Sequence, residues 1–499
     1  MDIFANLWFG FGVAVTPTNL GLCLIGTLVG TLIGVLPGIG PLATIAMLLP
    51  ITYNVSAVAA LIMLAGIYYG AQYGGSTTAI LVNLPGETSS IVTCIDGYQM
   101  ARQGRAGPAL AIAAIGSFFA GTVGTFLVAL AGPPLAEVAL RFGAPEYFSL
   151  MLMGLIAAAV LAQGDMMKSL AMVVMGLLLG IVGSDVNTGV PRFSFGIVEL
   201  SDGIGFIVVA VGVFAVGEIV KNLGDPAEER SVFDTKVTHL YPTLDDLKRS
   251  IGPILRGTGI GSFFGVLPGT GPAIASFASY MVEKKLAADP SRFGKGAIEG
   301  VAGPESANNA DAQCKFIPML TLGLPASGVM ALMLGALTIQ GIQPGPEVMT
   351  QRPELFWGLI ASMWIGNLML VVLNLPMIGL WVKLLTVPYR MLFPAIMAFS
   401  AIGVYSVNSS AFEIYLTALF GVVGFVFSKL GFPPAPMLLG FVLGPMMEEH
   451  LRRAMLMSKG DPSVFVTHPI SLVFILASAA ILVVMVLPAV RQRRGAITD

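Results

Sequence analysis

Charged side chains are scarce in this sequence. Of its 499 residues, 11% are Asp, Glu, Lys or Arg and 56% are hydrophobic, whereas roughly 25% of the residues of a soluble domain are charged. The formal net charge of -2 offers no excess of positive charge for binding nucleic acid. The composition excludes an ordinary soluble domain and indicates an integral membrane protein.

Cysteine and histidine are nearly absent. The chain has three of each, which are Cys23, Cys94, Cys314, His239, His450 and His468. The cysteines form no CxxC pair and leave one unpaired, so we interpret them as packing residues, and the scattered histidines predict no metal cluster. A phosphate-binding loop and a nucleophile elbow are also missing, which argues against an enzyme. The first residues lack a basic segment, and we expect no cleavable signal peptide.

Long apolar runs are present instead. A spanning helix needs about 20 apolar residues, and four runs of about that length are Ala109–Leu130, Gly203–Val220, Leu355–Leu375 and Ile470–Leu487. The alternation of apolar and polar residues typical of barrel strands is not seen. We therefore predict an all-α polytopic membrane protein with about 10 to 12 membrane segments, some of them broken.

One short motif occurs twice. Gly34–Pro41 reads GVLPGIGP and Gly265–Pro272 reads GVLPGTGP, each inside apolar sequence. A Pro/Gly break at membrane depth frees backbone groups that are tolerated only beside a cavity or a ligand. Its presence in both halves is typical of transporters built by internal duplication.

A polar stretch near the middle of the chain divides these halves. We predict a first membrane repeat over residues 1–221, a cytoplasmic linker over 222–250 and a second membrane repeat over 251–499. Basic residues collect on the cytoplasmic side of membrane proteins. The basic residues of the linker and of the tail at Arg491, Arg493 and Arg494 therefore place both, and the C-terminus, in the cytoplasm, while the lack of Lys or Arg before Arg102 favours a periplasmic N-terminus.

Basic residues also distinguish corresponding loops of the two halves. The loop after the first motif has none, whereas the loop after the second contains Lys284, Lys285, Arg292 and Lys295. Further on, the bias reverses, because Arg102 and Arg105 have no counterpart between Gln340 and Glu347. Parallel repeats would place the charges in matching loops, so we predict inverted-topology repeats.

The two motifs also lie in segments of unusual length. If both flanking loops are cytoplasmic, Ile251–Val282 must enter and leave the membrane, yet the arm after Gly271 has only about a dozen residues, too few to span. We predict re-entrant or broken helical hairpins over Ile251–Val282 and Leu20–Ile51. Two ordinary helices with a Pro kink remain the alternative.

Small and hydroxyl residues follow the first hairpin, from Tyr68 to Thr88, and Leu84-Pro85-Gly86 breaks the helix again. Helix N-termini there would attract an anion, and unwound carbonyls with Ser, Thr or Asn oxygens would suit sodium. The alternative is that these small residues only allow close helix packing.

The second half has its own polar cluster between Gly300 and Phe316, followed by Leu324-Pro325-Ala326. Ionisable groups at membrane depth are usually functional, and Asp311 and Lys315 are spaced to pair on one helix face. The alternative is a cytoplasmic helix entrance with solvated charges. We assign five other acidic residues, which lie near predicted segment ends, to loops or interfaces, namely Glu137, Asp165, Asp185, Asp202 and Glu218.

These motifs resemble those of the large membrane subunit of the tripartite tricarboxylate transporter family, the TctA type. The resemblance rests on the duplicated GVLPGxGP, on Tyr73–Ser76 through Glu87, and on Pro304–Ala310 through Pro325. It implies a secondary transporter of the bacterial inner membrane that works with a small membrane subunit (TctB type) and a periplasmic solute-binding protein (TctC type). It also implies carboxylate import coupled to Na⁺ or H⁺, with an elevator-like movement.

The sequence departs from the expected pattern at two places. Residues 311–316 are bulkier and more charged than the family's small-residue run, and Ala326 stands where Gly is common. Both departures lie near the predicted site, so the substrate stays open between di- and tricarboxylates such as citrate.

We therefore predict an importer and not an enzyme, with no cofactor and with possible assembly into homo-oligomers. A channel is the main alternative, and a membrane enzyme using Glu305 and Asp311 is a third. The predicted substrate-binding residues are Pro37, Gly38, Gly40, Ser76, Thr77, Asn83, Pro85, Gly86, Pro268, Gly269, Thr270, Gly271, Asn308, Asn309, Pro325 and Ser327. The residues that could ligate Na⁺ are Gly38, Thr78, Asn83, Gly269, Asn308 and Thr321.

Overall fold

The computed structural model describes residues 3–36, 40–162, 165–185, 188–224, 241–267, 270–384 and 389–486. The described chain is almost entirely helical, with one two-stranded antiparallel hairpin. The elements of the first half are α1 (Ile3–Ala14), α2 (Pro17–Val35), α3 (Pro41–Thr52), α4 (Ala57–Val82), a 3₁₀ turn (Thr88–Ser90), α5 (Ile91–Arg102), α6 (Ala106–Ala139), α7 (Ala144–Leu161), α8 (Met166–Gly180), β1 (Gly183–Ser184), β2 (Pro191–Arg192), a 3₁₀ turn (Val198–Leu200), α9 (Phe206–Ala210), a π-helix (Val211–Val216) and α10 (Gly217–Gly224).

The second half of the chain is also mostly helical. Its elements are α11 (Leu244–Val266), α12 (Pro272–Leu286), a 3₁₀ turn (Pro290–Arg292), α13 (Glu299–Cys314), α14 (Phe316–Leu322), α15 (Gly328–Ile339), α16 (Glu347–Gln351), α17 (Pro353–Asn374), α18 (Ile378–Leu384), α19 (Tyr389–Asn408), α20 (Ala411–Lys429), α21 (Pro434–Met457), α22 (Val464–Thr467) and α23 (Pro469–Val486). Helix α11 begins inside the stretch predicted as linker, and residues 225–240 of that stretch lie outside the described residues.

The predicted helix breaks are present at both Pro-Gly motifs. Helix α2 ends at Val35 and α3 begins at Pro41, while α11 ends at Val266 and α12 begins at Pro272. A proline suits the first turn of a helix, because its missing N–H would have no intrahelical partner there. Helices α3 and α12 have 12 and 15 residues, which is short of the about 20 needed to span a membrane.

A row of glycines holds the first hairpin against α4. At Gly26, Gly30 and Gly34, a Cβ atom would lie only 2.3 to 2.4 Å from a carbonyl oxygen of α4. Those oxygens belong in turn to Met63, Ile67 and Ala71. The spacing of four places the glycines on one face of α2, so the two backbones lie in direct contact.

The second hairpin repeats this arrangement. At Gly257, Gly261 and Gly265 of α11, a Cβ would lie 2.2, 2.1 and 2.7 Å from a carbonyl oxygen of α13. The oxygens belong to Gly303, Ala307 and Asp311, at the same spacing of four. The two halves therefore share a helix pair with matching register.

Equivalent helices of the two halves also make equivalent contacts with the opposite half. Helices α2 and α4 pack against α17, and their counterparts α11 and α13 pack against α6; likewise α3 packs on α15 and α12 packs on α5. Reciprocal contacts of this kind are expected when two repeats are related by a two-fold axis. The inverted orientation of the repeats relative to the membrane stays a prediction.

The interior of the unit that these helices form is occupied by α4 and α13. From Ala59 to Leu81 every residue of α4 is buried, and so is every residue of α13 after Glu299. A second group of helices packs beside the unit: α21 contacts α7 and α8, α23 contacts α7, and α20 contacts the π-helix and α10. Helix α3 lies between the two groups, because it contacts both α4 and the π-helix.

Five described helices are long and apolar enough to cross a membrane, and they are α2, α4, α6, α17 and α20. Further apolar helices of 10–17 residues include α3, α8 and α15. The apolar run Gly203–Val220, which the sequence presents as one span, forms α9, the π-helix and the start of α10. The all-α polytopic membrane architecture predicted from the composition is confirmed.

Candidate functional site

The two Pro-Gly breaks have the same backbone conformation at their edges. Leu36 and Leu267 are extended after α2 and α11, and Gly40 and Gly271 are extended residues that cap the N-termini of α3 and α12. The predicted site residues Pro37, Gly38, Pro268 and Gly269 lie outside the described residues.

Thr270 marks a difference between these breaks. Its hydroxyl donates hydrogen bonds to the carbonyls of Phe264 (2.6 Å) and Leu267 (2.8 Å). Carbonyls at a helix C-terminus have no intrahelical partner, so Thr270 satisfies groups that the break releases. The first motif has Ile39 at this position, which offers no hydroxyl.

A second pair of breaks follows α4 and α14. Asn83 and Gly323 end these helices in the left-handed region, at φ 58° and 68°. Leu-Pro and a small residue come next, after which Glu87 (φ -149°, ψ 172°) and Ser327 (φ -156°, ψ 170°) precede the 3₁₀ turn and α15. The Leu-Pro-Gly and Leu-Pro-Ala strings thus produce the same local fold.

All four breaks lead to one cavity. Its volume is about 580 Å³, and the hairpins contribute Leu42, Thr88, Thr270, Gly271, Ser327 and Gly328 to its wall. The opposite wall is formed by Ala158, Ala162, Val213, Phe214, Gly217, Glu218, Lys221, Gly424, Ser428, Gly431, Phe432, Pro433, Pro434, Ala435, Pro436 and Leu439. The cavity therefore separates the duplicated hairpins from the second group of helices.

The cavity offers helix N-termini on one side. Leu42, Thr88, Gly271 and Ser327 lie at the starts of α3, the 3₁₀ turn that leads into α5, α12 and α15. The first N–H groups of a helix have no intrahelical partner and carry a partial positive charge, each end stabilising an anion by roughly 0.3–1 kcal/mol. Several such ends around one cavity can together hold an anionic solute.

Two charged side chains lie on the opposite wall. Glu218 and Lys221 of α10 both face the cavity, and Glu218 Oε1 is 3.9 Å from where a Cβ on Gly40 would be. Our assignment of Glu218 to a loop or interface was wrong, because the apolar run that contains it continues into α10 and turns this face toward the hairpins.

A network of buried polar groups lies at the crossing of α4 and α13. Glu305 accepts hydrogen bonds from Ser76 (2.5 Å) and from Thr93. Gln72 donates to Glu87 (3.0 Å) and accepts from Ser89 (3.1 Å), which also donates to Glu87. Glu305 is fully buried and Glu87 is partly exposed, so the network extends from the helix crossing toward the second break.

The predicted Asp311–Lys315 pair is confirmed. The ammonium of Lys315 contacts Asp311 Oδ2, and both side chains are fully buried. The pair therefore belongs to the protein interior. Each charge there offsets part of the cost of removing the other from water. The alternative of a solvated helix entrance is wrong for these two residues.

The two predicted amides of α13 have different surroundings. Asn309 donates to Ser117 (2.7 Å) and to the carbonyl of Glu305 (3.0 Å). Asn308 is 1% exposed, yet neither its nitrogen nor its oxygen has a hydrogen-bond partner among the described residues. Asn309 thus joins helices, whereas Asn308 has unused ligating capacity.

The structure does not bring every predicted site residue to the cavity. Ser76 and Thr77 line a small void of about 10 Å³ near Tyr73 and Ser117. Thr78 donates to the carbonyl of Val35 (2.8 Å) and Thr321 to that of Ile317 (2.7 Å). Both hydroxyls therefore donate to helix carbonyls and do not line the cavity.

The remaining predicted residues belong to the breaks themselves. Asn83 ends α4, and Pro85 and Pro325 lie between the helices on either side. At Gly86 a Cβ would lie 2.1 Å from the carbonyl oxygen of Gly34, so this glycine packs the second break against the first.

Sequence reasoning missed several groups here. Thr88 and Lys221 line the cavity, while Gln72, Thr93 and Glu87 belong to the buried network. Glu87 had a detectable signal, because a carboxylate directly follows Leu-Pro-Gly in otherwise apolar sequence. The glycines at spacings of four are also visible in the sequence, but with 60 glycines in the chain their helix-packing role was not recognised.

Comparison with known proteins gives two kinds of match. Residues 20–439 match the tripartite tricarboxylate transporter TctA family. The chain is also similar to two proteins of Agrobacterium vitis: an uncharacterized 52.8 kDa protein in the TAR-I ttuC' 3' region, 61% identical over 99% of this chain and 98% of the relative, and an uncharacterized protein in the TAR-II ttuC' 3' region, 61% identical over 47% of this chain and 97% of the relative. No solved structure matches. Because the family match extends over most of its length, this chain belongs to the tripartite tricarboxylate transporter TctA family.

Proposed function

We propose that this protein is the large permease subunit of a tripartite secondary transporter that imports a di- or tricarboxylate. The observation that carries the proposal is the convergence of the starts of three helices, α3, α12 and α15, on one cavity of about 580 Å³. A solute with two or three carboxylates matches that arrangement, because separate carboxylates reach separate helix N-termini. Partial charges from helix ends attract the solute without the desolvation cost of buried ammonium groups.

The proposed movement is elevator-like. The duplicated hairpins form one packed unit through their glycine contacts and their exchanged helices, and the cavity lies between this unit and the second helix group. A rigid unit that carries half of the site past a fixed partner would expose the solute to each side in turn. The apolar character of much of the facing wall suits such sliding.

The family membership supports the proposed partners. A tripartite system implies a small membrane subunit and a solute-binding protein beside this chain. We place the assembly in the bacterial inner membrane, with uptake coupled to Na⁺ or H⁺ and no cofactor. The substrate is a carboxylate class, and citrate and C4 dicarboxylates are the compounds to test first.

Uptake by vesicles that contain this chain and both partners tests the proposal. A transporter gives saturable, gradient-dependent uptake of labelled carboxylate. Non-saturating flux that is independent of any gradient would contradict it and support a channel.

A glycine at the cavity allows a sharper version of this test. Gly271 has extended backbone, and no atom lies within 4 Å of where its Cβ would be. We expect Gly271→Val to fill part of the cavity and to abolish uptake while the protein stays folded. The matched control is Gly259→Val, since Gly259 of α11 also has open space around its Cβ but is exposed away from the cavity. Normal uptake by Gly271→Val would place the solute elsewhere.

A further inference from the structure

Several polar atoms behind the cavity are buried without a partner. Besides both amide atoms of Asn308, Asp311 Oδ1 and the Tyr68 hydroxyl make no hydrogen bond among the described residues. Asp311 is fully buried and Tyr68 is 2% exposed. Buried polar groups in proteins are bonded in roughly 90% of cases or more, so three unpartnered side chains in one region have free capacity to ligate an ion.

These side chains lie close to one another. Asn308 and Asp311 are three residues apart on α13 and therefore share a face. The Asn308 amide lies beside the Glu87 carboxyl group, and Asp311 is also within electrostatic reach of Glu87. The Tyr68 hydroxyl lies close to Ser327 and to the Asp311 and Glu87 carboxylates without a well-formed hydrogen bond to any of them.

Acidic side chains outnumber basic ones in this region. The described residues place three carboxylates, those of Glu87, Glu305 and Asp311, close together. Lys315 pairs with Asp311, while neither Glu87 nor Glu305 has an ion-pair partner among the described side chains. Burial disfavours the ionised form of such acids, and a bound cation would stabilise that form.

We propose that Asn308, Asp311 and Tyr68, together with Glu87, bind a dehydrated Na⁺ ion. The ligating atoms would be amide, carboxylate and hydroxyl oxygens, which are hard donors of the kind that alkali and alkaline-earth cations prefer. Lys315 already neutralises one carboxylate of the group, so the site retains the charge for a monovalent cation. Of the residues predicted from sequence as Na⁺ ligands, the site keeps Asn308 and replaces Thr78 and Thr321, whose hydroxyls are already bonded.

The position of this site would couple the ion to the solute. Ser327 lines the cavity and lies next to Tyr68, and Glu87 directly precedes the cavity residue Thr88. This inference rests on the proposed transport function. A cation bound there would favour an anion in the cavity, and by linkage the anion would favour the cation by the same factor, typically about 5- to 150-fold.

Thermal unfolding of the purified protein tests the site without transport. We expect the melting temperature to rise saturably with NaCl at constant ionic strength, and not with choline chloride, because an ion that binds only the folded state stabilises it. Asn308→Ala should abolish the Na⁺ response. Tyr68→Phe, which removes one oxygen and keeps the ring, should raise the half-saturating Na⁺ concentration several-fold.

Asn309→Ala provides the matched control. The neighbouring amide is hydrogen-bonded to Ser117 and the Glu305 carbonyl, so its loss should lower the melting temperature but preserve the response to Na⁺. A wild-type response in both Asn308→Ala and Tyr68→Phe would overturn the proposal. Absence of any Na⁺ response in the wild-type protein, with uptake still driven by a pH gradient, would also overturn it and would leave the transport function standing.

Discussion

The second breaks of the two halves share a backbone but differ in side chains. Asn83 and Gly323 both adopt the left-handed conformation, and Glu87 and Ser327 both precede the next helix in extended conformation. One half thus presents a carboxylate at the position where the other presents a hydroxyl. The two halves share the backbone arrangement at the helix N-termini and differ in the electrostatics on one side.

The central helices show the same contrast. Gly34 packs against Ala71 of α4, and its counterpart Gly265 packs against Asp311 of α13. The second half therefore has a charged group, paired with Lys315, where the first half has a methyl group. In the proposed function, both halves offer helix N-termini to the anion, and the proposed cation lies among polar groups of both α4 and α13 and the break after α4.

The largest predicted effect concerns the shared glycine contacts. Gly30→Leu and Gly261→Leu should each prevent stable folding, because the new side chain would meet a backbone carbonyl at 2.4 or 2.1 Å that cannot move without separating the helices. Size-exclusion chromatography and thermal unfolding of the purified variants measure this. Gly21→Leu is the control, since nothing lies within 4 Å of its Cβ. Wild-type stability in either hairpin variant would refute the matched register.

The next effect belongs to the second half alone. Lys315→Met leaves Asp311 buried without its partner and should lower the free energy of unfolding by about 3–5 kcal/mol. Changing both residues, as Asp311→Asn with Lys315→Met, should recover most of that loss. The comparison variant is Lys285→Met at an exposed position, where we expect a change within about 0.5 kcal/mol. A Lys315→Met protein as stable as the wild type would show that the pair contributes little.

The smallest effect tests the equivalence of the left-handed helix ends. Asn83→Gly copies Gly323 and should change the free energy of unfolding by no more than about 0.5 kcal/mol, whereas Asn83→Val should cost about 1–2 kcal/mol of backbone strain. Gly323→Val should cost more, because its Cβ would also lie 2.8 Å from the Pro344 carbonyl oxygen. Thermal unfolding of the three variants gives the order, and an equal loss for both valine variants would contradict this account.

The sequence was most informative where the backbone had to break. Pro and Gly together disfavour a continuous helix in almost any surroundings. The interruptions after Val35 and Val266 could therefore be predicted from the sequence. The Asp311–Lys315 pair was also predictable, because their spacing brings them together on any helix. The inverted orientation, the coupling ion and the substrate were not settled by either kind of pattern.

Side-chain direction was harder to predict. Helix α4 is buried on all sides, so its hydrophobic pattern has no polar face from which direction could be read. The sequence predicts both Ser76 and Thr270 as substrate-binding residues, yet Ser76 donates to Glu305 at the helix crossing while Thr270 lines the cavity. Glu218 was misplaced for the related reason that its position depends on how distant helices pack.

One measurement tests most directly whether both halves build a single solute site. Gly40 and Gly271 cap equivalent helices, and a side chain at either position has room, so Gly40→Cys and Gly271→Cys can each be labelled with a thiol reagent in a cysteine-free background that still transports. If both halves build one site, the transported carboxylate slows labelling at both positions. Protection at only one position, or at neither, would contradict a shared site.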